Sequence, residues 1–264
     1  MNDFLFHHGT RESLKEQAQE GYAVVIPLGA TEQHGPHLPV YTDTMIGEHI
    51  ALEACRKAAS SMKLLMTPIL PVGCSQHHLA FGGTLSFSSS TYLLLLKELG
   101  ESLIAGGFRK MIFLNAHGGN EALMHQAAQD LAVQHNIWSA SASYWSLSRE
   151  ALNELNAQEM GMVPGHAGGF EASLIASLAP QLIQGGQDFI DGSKHLQRSW
   201  IHGGPPGSYV GKHRELTGLD GYTDSIQPMD GAKGASYLDV IIDATVHWLL
   251  QVDQWMNEGA KPTS

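Results

Sequence analysis

Residues 24–43, VVIPLGATEQHGPHLPVYTD, constrain this chain more than any other stretch. From Ala23 to Leu28 every position is apolar, the pattern of a strand buried on both faces rather than one that alternates between core and solvent. Gly29 ends the run, and an acid, a histidine and a second acid follow it at Glu32, His34 and Asp43. A second stretch, MIFLNAHGGN from Met111 to Asn120, repeats the design, its apolar run ending in His117. Strands hidden on both faces need helices on both sides, so the two stretches predict an α/β fold with a mostly parallel central sheet.

The remaining pattern agrees. Helices are expected over Glu12–Glu20, from Thr42 to about Ala59, over Thr91–Ala105 and Glu121–His135, near Glu150–Gln158, and over Phe170–Leu178 and Lys233–Met256. Further strands are expected at Lys63–Met66 and Ile137–Ser143, closing a β-α-β-α-β alternation. Residues 183–222 are rich in glycine, proline and histidine and take no element; long irregular segments of compact enzymes often form lids or subunit contacts. One domain is expected over residues 1–264.

In an open α/β sheet, ligands bind beyond the carboxyl ends of the strands, where helix N-termini point inward. Both histidines fall at that edge. Glu32 and His34 are two apart and share one side of an extended segment, and Asp43, at a helix start, can return to them. Asp43 as a helix cap and His117 as a turn residue are the simpler alternatives. Carboxylates with imidazoles suit Zn, Mn or Fe. Four or more such ligands suit two divalent metal ions about 3.5–4 Å apart that share a carboxylate, for which Asp43 is the candidate. A metal-bridging hydroxide would then attack an amide-like carbonyl, and His166, on a Gly-rich turn, is placed to give the leaving nitrogen its proton. Glu171 stands inside an apolar helix, where a cation would be a suitable counter-charge. The long loop GCSQHHLAFGGTLSF supplies Ser75 and His78 as candidate substrate contacts, with Gly118 of the HGGN turn beside them; His77 and His78 are local loop structure or substrate contacts rather than ligands.

A formal charge of −11 with no cluster of Lys and Arg argues against nucleic-acid and anionic-membrane partners. No apolar run approaches a bilayer span, and MNDFLFHHGT lacks the basic and apolar regions of a signal peptide, so a cytoplasmic protein with a small-molecule substrate is expected. Cys55 and Cys74 form no C-x-x-C pair and read as small buried residues.

Taken together, IPLGATEQHGPHLPVYTD, FGGTLSF, LNAHGGN and GHAGGFEAS resemble the creatininase (creatinine amidohydrolase) family, in the same order over most of the chain. The resemblance implies a three-layer α/β/α sandwich, a two-metal hydrolytic site and assembly as a homohexamer. By position it implies Glu32, His34, Asp43 and His117 as metal ligands, with Asp43 bridging, His166 beside the substrate, and Trp145 as the aromatic residue that closes over it. Creatinine-hydrolysing members carry Tyr then Glu after the metal-binding histidine, where this chain has Gly118 and Gly119. That missing Glu is a ligand, and Glu171 is the carboxylate available to replace it. Met162 stands in place of a substrate-packing Trp, Gly165 in place of an acid, and Gly82 where many members have Pro. The fold and the metal chemistry transfer, then, better than creatinine as substrate. The expected activity is dinuclear metal-dependent hydrolysis of a non-peptide C–N bond in a small cyclic amide, formamide or related group. The alternative is a non-catalytic metal-binding or metabolite-sensing protein on the same fold.

Overall fold

A computed structural model describes residues 4–185, 221–226 and 228–258; residues 186–220 of the segment left without an element lie outside them. In chain order the elements are α1 (Arg11–Gln19), β1 (Ala23–Leu28), α2 (Thr42–Ala58), β2 (Leu64–Met66), α3 (Ser89–Ala105), β3 (Lys110–Asn115), α4 (Glu121–His135), β4 (Trp138–Ser143), α5 (Tyr144–Leu147), α6 (Arg149–Glu154), α7 (Gly169–Leu178) and α8 (Gly231–Glu258). The four strands form one parallel sheet in the order β2-β1-β3-β4.

The apolar run becomes the central strand because both of its faces are covered. Val24, Ile26 and Leu28 turn to one face, where they pack with Leu65, Met111 and Phe113 under Tyr92 and Leu96 of α3 and Met124 and Leu131 of α4. Ala23 and Val25 turn to the other, joining Leu64, Met66, Ile112 and Leu114 under α2, α7 and α8. The result is the α/β/α sandwich. Pro27 is tolerated in so central a strand because β2 pairs only with residues 23–25, so the missing N–H faces no ladder partner.

Several boundaries differ from expectation for local reasons. α3 starts at Ser89 rather than Thr91, because the Ser88 side chain caps it by accepting from the Thr91 N–H. The helix expected over 150–158 stops at Glu154, since Asn156 takes a left-handed conformation (φ 52°) and a 3-10 turn follows at Ala157–Met160. Neither Thr42 nor Asp43 caps α2. Tyr41 occupies the cap, the Thr42 hydroxyl donates to the Pro39 carbonyl, and Asp43 is free to point into the site. Cys55 is buried, whereas Cys74 is only partly so.

Candidate active site and metal centre

The strand order places the site. From β1 the chain crosses through α2 to β2 on one side, and from β3 through α4 to β4 on the other, so the carboxyl ends of β1 and β3 flank the topological switch point. Glu32 and His34 leave β1 there, Asp43 opens α2, and His117 follows β3 by two residues. α7 brings Glu171 to the same point, and the loop before it brings His166.

Among the described residues four sets of donor atoms lie close enough to hold an ion: Glu32 with His34 and His166, Glu32 with His77 and His78, and two further sets that share Asp43. Ligand atoms of Glu32, Asp43 and His117 lie within 4.8 Å of one another, and so do those of His34, Asp43 and Glu171. The two oxygens of Asp43 divide between them: Oδ1 is 3.1 Å from His34 Nε2, and Oδ2 is 3.0 Å from His117 Nδ1. Glu32 Oε2 is 3.3 Å from His117 Nε2, and Glu171 Oε2 is 3.7 Å from His34 Nε2. All of these carboxylates are buried, and both Glu32 oxygens and Asp43 Oδ2 lack a hydrogen bond of good geometry. Buried anionic oxygens left this way demand positive charge, and mixed carboxylate and imidazole donors suit divalent Zn, Mn or Fe. The residues present therefore fit a metal pair.

Main-chain carbonyls decide which ring nitrogens face the cluster, because a carbonyl only accepts. His34 Nδ1 donates to the Glu32 carbonyl (3.0 Å), His166 Nε2 to the Gln33 carbonyl (2.9 Å) and His117 Nε2 to the Cys74 carbonyl (3.2 Å). This leaves His34 Nε2, His117 Nδ1 and His166 Nδ1 to face carboxylates. Fixing a ligating imidazole through its other nitrogen is how proteins orient metal-binding histidines.

Charge is balanced locally. Burial alone would raise the Glu32 carboxyl, but His117, His78 and His166 around it hold it well below the ordinary range. Asp43 is likewise lowered despite burial, chiefly by His34. Burial opposes charge on His34 and His117, yet the surrounding carboxylates raise them to about 10 and about 9. Glu171 goes the other way, pushed up to about 8 by burial with Asp43 and Glu32 against the pull of His34. His166 is held well below its usual value by burial and by the neighbouring His34 and His78, so it is neutral at pH 7.

A cavity of about 450 Å³ opens onto the cluster, lined by Glu32, Asp43, His117, His166 and Glu171 on its charged side and by Trp145, Pro164, Gly118 and Gly119 elsewhere. His77 and His78 also line it. Ser75, expected against substrate, is instead fully buried behind the site, its hydroxyl 3.2 Å from His117 Nε2, and is not part of the lining. At Gly119 a Cβ would stand 2.1 Å from the Cys74 carbonyl oxygen and 2.6 Å from His117 Nε2, so this backbone has no room for the acid that creatinine enzymes carry.

Three supporting residues had no sequence signal of their own. Gln33 contacts both His78 and His166. His37 donates from Nε2 to the Ala167 carbonyl (2.7 Å) and so supports the His166 loop, where Ala167 adopts φ 53°. Asp224 accepts from the Met162 N–H and the Thr223 hydroxyl, while Thr223 bonds the His166 backbone on both sides. Their partners are distant in sequence; only the Glu-Gln-His adjacency of Gln33 to two candidate ligands was visible.

The family model described as creatinine amidohydrolase matches residues 7–249. The mycofactocin precursor peptide peptidase of Mycobacterium tuberculosis is 40% identical over 111 residues, which is 40% of this chain and 44% of that protein. The creatinine amidohydrolase of Pseudomonas putida is 25% identical over 175 residues, 61% of this chain and 65% of that protein. This chain thus matches less than two thirds of the length of either relative. A solved mutant creatininase described as of Zn-Zn type superposes with a TM-score of 0.74 at 20% identity, covering 95% of this chain and 98% of that one, and shares the fold. With the family model spanning nearly all of it, the chain belongs to the creatininase family.

Proposed function

We propose that this protein is a dinuclear metal-dependent amidohydrolase that cleaves a C–N bond in a small cyclic amide, formamide or related substrate, with residues 1–264 acting as one domain. The observation that carries this reading is the pair of donor groups sharing Asp43, with His166 Nδ1 3.4 Å from Glu32 Oε1 in the same cavity. Glu32, Asp43 and His117 would hold one ion and His34, Asp43 and Glu171 the other, with Zn, Mn or Fe as candidates. When bound, such a pair supplies Lewis acidity that polarises an amide carbonyl and activates water.

The residues do the rest. His166 is neutral, its Nε2 proton is engaged by the Gln33 carbonyl, and its Nδ1 is available to take a proton from the attacking water and return it to the leaving nitrogen. Trp145, Pro164 and Gly118 offer an apolar wall for the substrate, while His78 supplies a polar edge. Ser75 serves by holding His117. A non-catalytic sensor would not need His166 and Glu171 to face the same cavity as Glu32 and Asp43, as they do. Creatinine itself is disfavoured by Gly119, whose surroundings exclude the missing acid. The identity to a peptide peptidase makes short peptides the second substrate class.

The protein would act in the cytoplasm as a homo-oligomer, a hexamer in our reading; no helix among the described residues is long and apolar enough to cross a membrane. The test is to reconstitute with Zn, Mn or Fe, measure metal content, and screen cyclic amides, lactams, formamides and short peptides. Two equivalents of metal and metal-dependent release of an amine or acid are expected. Activity undiminished below one equivalent of metal would sink the proposal. His166→Ala should lower kcat by roughly 10²–10⁴-fold with bound metal unchanged; loss of metal instead would make His166 a ligand.

A further inference from the structure

Gln33 lies between two candidate ligands, and its buried side chain reaches residues 45 and 188 positions distant. Its orientation is unambiguous. The Gly35 N–H donates to Oε1 at 2.9 Å, and Nε2 donates to the Gly221 carbonyl at 2.7 Å. An amide N–H can only donate and a carbonyl can only accept, so both contacts give the same assignment of oxygen and nitrogen. His166 Nε2 also lies 3.1 Å from this nitrogen, but it donates its own proton to the Gln33 carbonyl, so the second Nε2 hydrogen goes to His78 Nδ1 at 2.7 Å. Gly221 is required for this fit: a Cβ there would stand 2.2 Å from Gln33 Oε1, and its φ is +82°.

A donor aimed at Nδ1 makes that nitrogen the acceptor, so the ring proton of His78 must sit on Nε2, 3.3 Å from Glu32 Oε1. By distance alone Glu32, His77 and His78 form a further group able to hold a cation. A protonated Nε2 cannot ligate, and Nδ1 is already engaged. His78 also stacks on His166, with ring centroids 4.1 Å apart and planes 24° from parallel. The ring that carries the Nε2 proton therefore also packs against the imidazole assigned to proton transfer.

We propose that Gln33 is a positioning residue whose carboxamide holds the His78 proton on Nε2, the nitrogen that faces Glu32, and so excludes His78 from metal ligation. The proposal rests on the two-metal reading of the site, but its test does not use catalysis. Long-range ¹⁵N–¹H correlation spectra of ¹⁵N-histidine-labelled protein report the tautomer of each ring, and His78→Asn identifies the His78 signals by their loss. The Nε2–H pattern is expected for His78 in both the zinc-loaded and the metal-free protein. In Gln33→Glu the new carboxylate accepts rather than donates, so the His78 proton should move to Nδ1, or a second proton should appear there. An Nδ1–H pattern in the wild-type protein, or a His78 nitrogen displaced directly by zinc, would overturn the proposal, as would an unchanged tautomer in folded Gln33→Glu. Should that variant not fold, the wild-type spectra with and without zinc still decide where the proton lies. Failure here would leave the hydrolase reading standing, and failure of the substrate screen would leave this result untouched.

Discussion

At the scale of single residues, the site neutralises buried acids with protons that a metal would displace. His34 and His117 are raised to about 10 and about 9, and Glu171 to about 8, so at pH 7 the metal-free protein keeps protons on all three. Metal loading should then release ~2–3 protons at pH 7, measurable by titration calorimetry in buffers of different ionisation enthalpy; release of none would contradict this charge balance. The sign of the accompanying stability change follows. Stability contributed by the two histidines is complete below their unfolded value of about 6.5 and is lost as pH rises through about 9 to about 10, so the chelated protein should melt at lower temperature as pH goes from 7 to 10. Glu171→Gln should reduce bound metal from two equivalents toward one, and two tightly held ions in that variant would refute its role as the replacement acid. Glu32, His34, Asp43 and His117 were legible in the sequence because each sits within a few residues of a strand end or helix start. Gln33, His37 and Asp224 were not, because what they do depends on partners 45 to 188 residues away.

At the scale of elements, β1 carries both the core and the site, since the same strand whose residues fill the two hydrophobic layers aims residues 29–43 at the switch point. Ile26→Ala should cost ~2–5 kcal/mol in chemical denaturation, because the side chain is 1% exposed and packed between sheet and helices. Val133→Ala on α4, where the side chain is 84% exposed, should change stability by under about 0.5 kcal/mol. Equal effects would mean that the central strand is not the packing centre. Strands with apolar runs and helices with regular spacing were readable because their burial follows from local pattern. The early stop of α6 was not, since a left-handed Asn156 leaves no periodic signature. Among the described residues β4 stands at the edge of the sheet with Trp138 exposed, which its sequence alone does not distinguish from an inner strand.

At the scale of the whole molecule, assembly was accessible only through family resemblance, and the surface supplies the means to test it. Leu79 and Leu85 are 51% and 58% exposed, and Val40 is 39% exposed. Leu85 bonds the Thr31 backbone, Val40 bonds that of Glu32, and Gly83 lies against Val40, so Val40 and Leu85 flank the strand-end segment that carries the site. A contiguous apolar patch at this edge would mark a contact with a neighbouring copy. If these residues are covered by a neighbouring copy, replacing Leu79 and Leu85 with Lys should lower the mass measured by light scattering, with the metal content per chain retained because neither side chain reaches the donor groups. Substituting exposed Val133 or Trp255, which lie on α4 and α8, should leave the mass unchanged. A wild-type monomer would dispose of the hexamer outright, and a double variant of undiminished mass would place the interface on another face.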